Sequence, residues 1–463
     1  VTIDRVSDQE RRYRLALATA ALVGLAVRLW VVLGARPTCS PPLSGAGSCF
    51  RVAGLARWYH VQADLLADGK WFVHPDQWLA NGDLVDSALH PPGYTAFLGA
   101  FSVLGLDTAT QHRVLSSLLG VVTVVVVGLL GRRLGGRRAG ALAAAFAAVY
   151  PMLWINDGML QAESLYALLA AALLIAAHRA LRSPATGSVA VVGAIVGLAA
   201  LTRPEAALFA PFLVLPLAWR TGSDRGQRVR HLTAGLGAAA LVVAPWIGVN
   251  LIRFDRPVLL TNSLGSVVAE SSCDSTYYGE FIGYQANCHP DFPLPAAFGG
   301  EEDEREAALL DRADGYVADN AGRLPLVGAA RVGRVWDVFN PRQNADLNAS
   351  YEGRGDRPSQ LGLLAYWALV PLAVVGVVAL RRRRTSLLPE LSTVLVVTTA
   401  AALTFGLTRY RVPAEVALVA VAAVGADDLW RRRGQPRGER GRGEDDDGDL
   451  GGSAEAHMAV EQR

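Results

Sequence analysis

Long apolar runs constrain this chain more than any other feature of its sequence. About ten of them recur, near residues 14–34, 111–131, 138–155, 160–180, 186–201, 204–220, 231–250, 360–380, 387–405 and 411–430. A bilayer hydrocarbon core of about 30 Å is crossed by roughly 20 apolar helical residues, so runs of this length read as transmembrane helices. Composition agrees: 51% of the 463 residues are hydrophobic, only 19% are charged, and the mean hydropathy is +0.27. A shorter run at 93–106 reads as a re-entrant or interfacial helix. The expected fold is therefore an all-α polytopic membrane protein with about ten transmembrane helices. The first apolar run is long and lacks a small-residue cleavage site, so it reads as a retained span and not a cleaved signal.

Arginine placement gives an orientation. Arg11, Arg12 and Arg14 precede the first run, and Arg132, Arg133, Arg137 and Arg138 follow the second. Arg179 and Arg182 follow the fourth, Arg220, Arg225, Arg228 and Arg230 the sixth, Arg381 to Arg384 the eighth, and Arg431 to Arg433 the tenth. Every second connection is basic. By the positive-inside rule this fits ten spans with both termini in the cytoplasm, and it keeps 93–106 out of the count. The expected organisation is a cytoplasmic N-terminus (1–13), a transmembrane core (14–250) with an outer loop (35–110), an extracytoplasmic segment (251–359), C-terminal transmembrane helices (360–430) and a disordered cytoplasmic tail (431–463). Lys70 is the single lysine; arginine usage with Ala, Val and Gly richness points to a GC-rich bacterial genome, hence a bacterial plasma membrane. A net charge of only +2 offers no basic field for nucleic acid.

All four cysteines fall in the outer segments, and none shows zinc-ligand spacing, so no metal site is assigned. An oxidising exterior favours the local disulfides Cys39–Cys49 and Cys273–Cys288 over four free thiols. Residues 55–67 place Leu55, Trp58, Tyr59, Val61, Leu65 and Leu66 on one helical stripe, with Gln62 and Asp64 elsewhere, as in an amphipathic helix lying on the membrane. Residues 302–319 read as a solvated acidic helix. Residues 324–339 alternate apolar positions with Arg331 and Arg334 and read as a helix near the headgroups.

In this topology ionisable groups gather at the outer ends of the spans, where charge is costly and marks function. They are His90 in His90-Pro91-Pro92-Gly93-Tyr94, then Asn156, Asp157, Gln161 and Glu163, then Arg203-Pro204-Glu205, then Arg409-Tyr410-Arg411-Val412-Pro413. The positive-inside bias does not explain outer arginines. Binding of a lipid phosphate would, because guanidinium pairs bidentately with phosphate oxygens; ion pairing with Glu205 and Glu415, or snorkelling, is the structural alternative. Arg28, well inside the first run, would snorkel outward.

The stretches WYHVQADLLADGKWF, HPPGYTAFLGAF, RVLSSLLGVVTVVVVGLLGRRLGGRRAG, YPMLWINDGMLQAESLYALL and GLAALTRPEAALFAP, with TRYRVPAE later, together resemble the GT-C superfamily. More narrowly they are similar to glycosyltransferase family 39, the protein O-mannosyltransferases and lipid A aminoarabinose transferases. The resemblance covers residues 14–220 best. It implies inverting transfer of a sugar from a polyprenyl-phosphate donor to an acceptor outside the membrane: a cell-wall glycan, a lipid or a protein. It implies that His90 and Arg203 contact the donor phosphate, assisted by Arg409 or Arg411. Glu163 matches an acidic residue that begins the fourth span in relatives, with Asp157 in the same loop. A general base would deprotonate the acceptor hydroxyl, and the arginines would stabilise the departing phosphate. No cofactor is assigned, and a divalent cation is compatible with this chemistry.

One departure stands out. Relatives carry an Asp in the first outer loop where this chain has Leu55, within Gly54-Leu55-Ala56-Arg57-Trp58-Tyr59-His60. Three readings follow: Asp64 or Asp68 serves instead; Glu163 or Asp157 is the base; or the chain is a catalytically silent accessory protein that keeps the fold. A polytopic transporter is the alternative from another class, but no internal repeat supports it.

Overall fold

The computed structural model describes residues 2–39, 49–286, 288 and 302–433, with side chains from residue 8. The tail beyond 433 lies outside the described residues. The described residues form helices and no named strand; two isolated bridges, Thr38 to Phe50 and Val73 to Asp86, fasten loops flanking α2 and α3. In order the helices are α1 (Thr2–Leu29, running on as a π-helical turn Trp30–Ala35), α2 (Leu55–Ala67), α3 (Pro75–Asn81), α4 (Pro92–Ser102), α5 (Ala109–Gly135), α6 (Arg137–Val149) and α7 (Pro151–Gly158). They continue with α8 (Glu163–Arg182), α9 (Thr186–Ala200), α10 (Leu215–Thr221), α11 (Arg225–Arg253), α12 (Leu264–Glu270) and α13 (Asp274–Tyr277). The last are α14 (Glu302–Asp319), α15 (Leu324–Val335), α16 (Pro341–Ser350), α17 (Asp356–Arg382), α18 (Leu388–Leu403) and α19 (Val412–Arg433).

Helix occupies each predicted apolar run, but length and composition single out fewer spans than ten. Five described helices are long and apolar enough to cross a membrane: α1 with its π turn, α5, α8, α11 and α17. α6 and α7, bent by 46°, would make a sixth. α9 and α18 are apolar but shorter, and α19 carries Glu415, Asp427 and Asp428. The run at 204–220 is broken into a 3-10 turn (Pro204–Leu208), a π turn (Ala210–Val214) and α10. Pro204, Pro211 and Pro216 explain this, since each removes a backbone donor and crowds the preceding turn.

Small residues hold the bundle together. Lipid tails are as apolar as leucine, so helices associate in a bilayer by close packing. α17 and α19 cross where a Cβ on Gly376 would collide with the Val421 carbonyl, and one on Gly425 with that of Leu372. The core between α5, α6, α8 and α19 is dominated by buried Ala and Val.

Packing bears on four sequence expectations. Arg28 does not snorkel: its Nε donates to Asp157 at 2.6 Å inside the bundle, both side chains being 1% exposed. The start of α14 is not solvated. Glu302, Asp303 and Glu306 are buried, and their carboxylates accept backbone N–H groups from Ala88, Arg256 and Ser266. Arg331 and Arg334 are buried too. Arg331 donates to the carbonyls of Ala402 and Ser271, and Arg334 to Asn344, Gln343 and the carbonyl of Glu280. Irregular loops leave carbonyls and N–H groups that need partners, and these charged side chains supply them. On α2, Gln62 is likewise buried, donating to the Val73 carbonyl and accepting from Thr95. The helix is thus packed against α4. The bonds Cys39–Cys49 and Cys273–Cys288 span Cα separations of 5.1 and 5.8 Å, and no cysteine among the described residues is free.

Candidate active site

A partly open cavity of about 1010 Å³ is lined by these elements. Its wall comes from the first half of α2, the 89–91 loop, the turn at 202–205, α12, the start of α14, the 351–353 loop and the segment 405–410. Two sequence motifs meet here for a local reason. α9 stops at Ala200, and Arg203, which precedes a proline, is extended (φ −144°, ψ 120°). Its side chain therefore leaves the α9 axis. The Gly93 N–H donates to the Leu201 carbonyl at 2.7 Å, and Gly93 has no Cβ to prevent that approach. The His90-Pro91-Pro92-Gly93 loop is thereby fixed beside Arg203.

The cationic side of the cavity holds Arg203 and Arg409. Arg203 donates from Nε to Glu205 at 2.9 Å and from Nη1 to Glu163 at 3.0 Å, with its guanidinium 4.8 Å from the centre of the Tyr410 ring. Arg409 lies 3.4 Å from Glu352, and its Nε has no hydrogen-bond partner among the described residues. His90 is wedged between Trp58 and Tyr59, ring centres 5.3 and 5.4 Å away. Burial, then the charges of Arg203 and Arg409, push its pKa down to about 3, so the imidazole is neutral. Arg354 follows the wall residues Glu352 and Gly353. It is 1% exposed, and none of its three guanidinium nitrogens has a hydrogen-bond partner among the described residues. A buried cation without hydrogen bonds is costly, and an anionic ligand would satisfy it.

Several carboxylates line the remainder of the wall: Asp76, Glu205, Glu270, Glu302, Glu306 and Glu352. Burial raises the pKa of Glu270 to about 6 and that of Glu302 to about 7. Glu302 is occupied, accepting from Ser87 Oγ at 2.6 Å and the Ala88 N–H at 2.8 Å. Glu270 has one side-chain partner, Gln285.

The residues singled out from sequence separate into two groups. His90, Arg203 and Arg409 line the cavity, and Glu163 is joined to it through Arg203. Leu55 also lines it, so the position expected to carry an Asp faces the cavity with an aliphatic group. Arg411, Asp157 and Asp64 are not in the wall. Arg411 is 1% exposed and pairs with Asp337 at 2.8 Å and with Glu415, the structural alternative weighed for it. Asp157 serves Arg28. Asp64 is on the opposite side of α2, accepting from Ser102 at 2.9 Å. Sequence reading missed Arg354, Glu352 and Glu270. The cluster Tyr351-Glu352-Gly353-Arg354, at the outer end of a predicted span, was an available signal of the same kind as the others.

Comparison with known proteins agrees with this architecture. The chain shares its all-helical fold with a solved archaeal oligosaccharyltransferase. Residues 89–248 match the family model of dolichyl-phosphate-mannose-protein mannosyltransferases. That stretch contains His90, Asp157, Glu163 and Arg203. Among solved structures, the archaeal oligosaccharyltransferase AglB from Archaeoglobus fulgidus, in complex with an inhibitory peptide and a dolichol-phosphate, is 14% identical, with a TM-score of 0.51 over 91% of this chain and 51% of that one. This chain therefore spans about half the length of the oligosaccharyltransferase. ArnT from Cupriavidus metallidurans, bound to undecaprenyl phosphate, is 17% identical over 90% of this chain and 78% of that one, with a TM-score of 0.41. No curated protein matches the chain.

Proposed function

We propose that this chain transfers a sugar from a polyprenyl-phosphate donor to an extracytoplasmic acceptor, with Arg203, Arg409 and Arg354 holding the donor phosphate. The observation that carries this reading is that Arg203 and Arg409 line one cavity with a neutral histidine, and that the buried Arg354, without hydrogen-bond partners among the described residues, adjoins the wall residues Glu352 and Gly353. As the glycosidic bond breaks, charge grows on the departing phosphate, and guanidinium groups held in place by ion pairs stabilise that charge more than the ground state. His90, held neutral, contributes a hydrogen bond without adding a further cation.

The base is Glu270 in this proposal. Its carboxylate is half-buried, has a pKa raised to about 6 and retains hydrogen-bonding capacity beyond Gln285, the properties asked of a general base near neutral pH. Glu163, tied to Arg203 in an ion pair, is a positioning residue. The acceptor is a cell-wall glycan, a lipid or a protein, and the cavity faces outward from a bacterial plasma membrane with both termini in the cytoplasm. Arginine alternation and the disulfides in the outer segments support that orientation.

A second reading, a silent GT-C-fold protein that binds the lipid carrier, draws support from Leu55 in the cavity wall. Purified protein in lipid nanodiscs, offered polyprenyl-phosphate sugars with outer-envelope acceptors, separates the two. Transfer lost in Arg203→Ala but partly kept in Arg203→Lys supports the enzyme. Polyprenyl-phosphate binding without any transfer supports the silent relative. Unchanged turnover in a folded Arg203→Ala protein overturns the assigned phosphate site.

A further inference from the structure

A second cluster of chemistry-bearing side chains lies on the far side of α2 from the cavity. His60 and Asp64 are one helical turn apart on α2, and so share a face. His112 is in the first turn of α5 and fully buried, and Ser102 ends α4. His60 Nδ1 lies 3.1 Å from His112 Nδ1 and 3.3 Å from Asp64 Oδ2. The candidate ligand atoms of His60, Asp64 and His112 all fall within 4.8 Å of one another.

The hydrogen bonds around this group orient its lone pairs. Ser102 Oγ lies 2.9 Å from Asp64 Oδ1 and 2.9 Å from His112 Nε2. With Ser102 donating to the carboxylate, its oxygen accepts the Nε2–H of His112. That tautomer leaves the His112 Nδ1 lone pair pointed at His60 Nδ1. Two imidazole nitrogens and a carboxylate oxygen then converge, with at most one proton to share between the nitrogens. A tetrahedral zinc ion with metal–ligand bonds of about 2.0–2.2 Å holds its ligand atoms about 3.3 Å apart. Two of the three separations, 3.1 and 3.3 Å, match that spacing, and the third lies within 4.8 Å. Zinc would pull the His112 nitrogen and the carboxylate to one centre with little movement of the helices. Ser102 would be the outer partner that fixes the ring of a metal-ligating histidine.

We propose that His60, Asp64 and His112 bind one divalent zinc ion, with the fourth position open to solvent on the half-exposed side formed by His60 and Asp64. Imidazole and carboxylate donors in a three-ligand set suit zinc among the abundant divalent ions and exclude magnesium and calcium, which take oxygen ligands. The ion ties the second half of α2 to the outer end of α5. The first half of α2 carries Leu55, Trp58 and Tyr59 into the cavity wall. The metal would therefore set the position of that wall without touching a reactant, and the assignment does not depend on the reaction proposed above.

The test uses full-length protein purified without a polyhistidine tag, stripped with chelator and titrated with zinc sulfate. Metal content after gel filtration should be one zinc per chain in the wild type. It should fall to background in His60→Ala and Asp64→Asn. Ser102→Ala, which keeps all three ligands, should weaken zinc affinity about 10–100-fold. Zinc should raise the melting temperature of the wild type and leave that of Asp64→Asn unmoved. Because His112 is buried and its replacement could misfold, the assignment rests on the half-exposed His60 and Asp64. His90→Ala and Glu270→Gln, in the cavity, should bind zinc as the wild type does. A wild-type protein that takes up no zinc, or zinc retained in His60→Ala and Asp64→Asn, overturns the proposal.

Discussion

Replacing Asp157 distinguishes a structural carboxylate from a catalytic one, and the structure gives the expected size of the effect. Asp157 and Arg28 are each 1% exposed, and their 2.6 Å contact is supported by Arg28 donating to the carbonyls of Gly24 and Ala148. Gly120 faces the pair, and a Cβ there would overlap the carboxylate. The space is therefore filled, and water has little room to replace the lost partner. Removing one member of a buried pair typically costs about 3–5 kcal/mol, because it leaves the other charge uncompensated. Asp157→Asn keeps an acceptor, so the lower end applies: about 3 kcal/mol, or roughly two orders of magnitude in the folding equilibrium. Arg28→Met should cost a similar amount. The double variant Arg28→Met with Asp157→Asn buries no unpaired charge and should be more stable than the sum of the two losses implies. The coupling should be about 2 kcal/mol or more in a double-mutant cycle. The assay is reversible unfolding in mixed micelles followed by tryptophan fluorescence. An Asp157→Asn protein as stable as the wild type but unable to transfer sugar would refute this account and return Asp157 to the list of bases.

Two further predictions follow from the outer face. If Glu270 is the base, it must be deprotonated to act, so transfer should rise with pH through about 6, where burial has moved its pKa. Glu270→Gln should lose that limb and about 10²–10⁴ in rate; a Glu270→Gln enzyme with the wild-type pH profile would exclude the role. A membrane-impermeant thiol reagent applied to intact cells should label Cys39, Cys49, Cys273 and Cys288 only after reduction. Labelling without reduction would contradict the disulfides, and no labelling after reduction of unfolded, surface-accessible protein would contradict the orientation.

How legible the site was in the sequence depended on how each residue reaches it. His90 and Arg203 stood out because each adjoins a proline at the outer end of an apolar run, where no general rule supplies a charge. The backbone contact between Gly93 and Leu201 then places them together. Arg409 and Arg411 carried the same signal and are two residues apart. On the short 3-10 turn Thr408–Arg411 they diverge, one into the cavity and one toward Asp337 and Glu415. Nothing in the local sequence separates them, because the decision belongs to partners on other helices. Glu302 and Glu306 sit in a stretch that has the composition of a solvated helix. Their burial follows from the loops that need their carboxylates as hydrogen-bond acceptors.

The one-dimensional pattern of this protein determined its solvent, its helical character and the places where helix would form. Those properties depend on the hydropathy of about twenty neighbouring residues at a time, and a bilayer imposes backbone self-satisfaction locally. Which charges are spent inside the bundle, and which remain for a ligand, was settled only by tertiary contacts. Arg28 meets Asp157 across 129 positions and Tyr150 meets Glu415 across 265, and His60 finds His112 on another helix. An ionisable group declares its presence in the sequence, but its role depends on the nearest opposite charge, and folding chooses that neighbour.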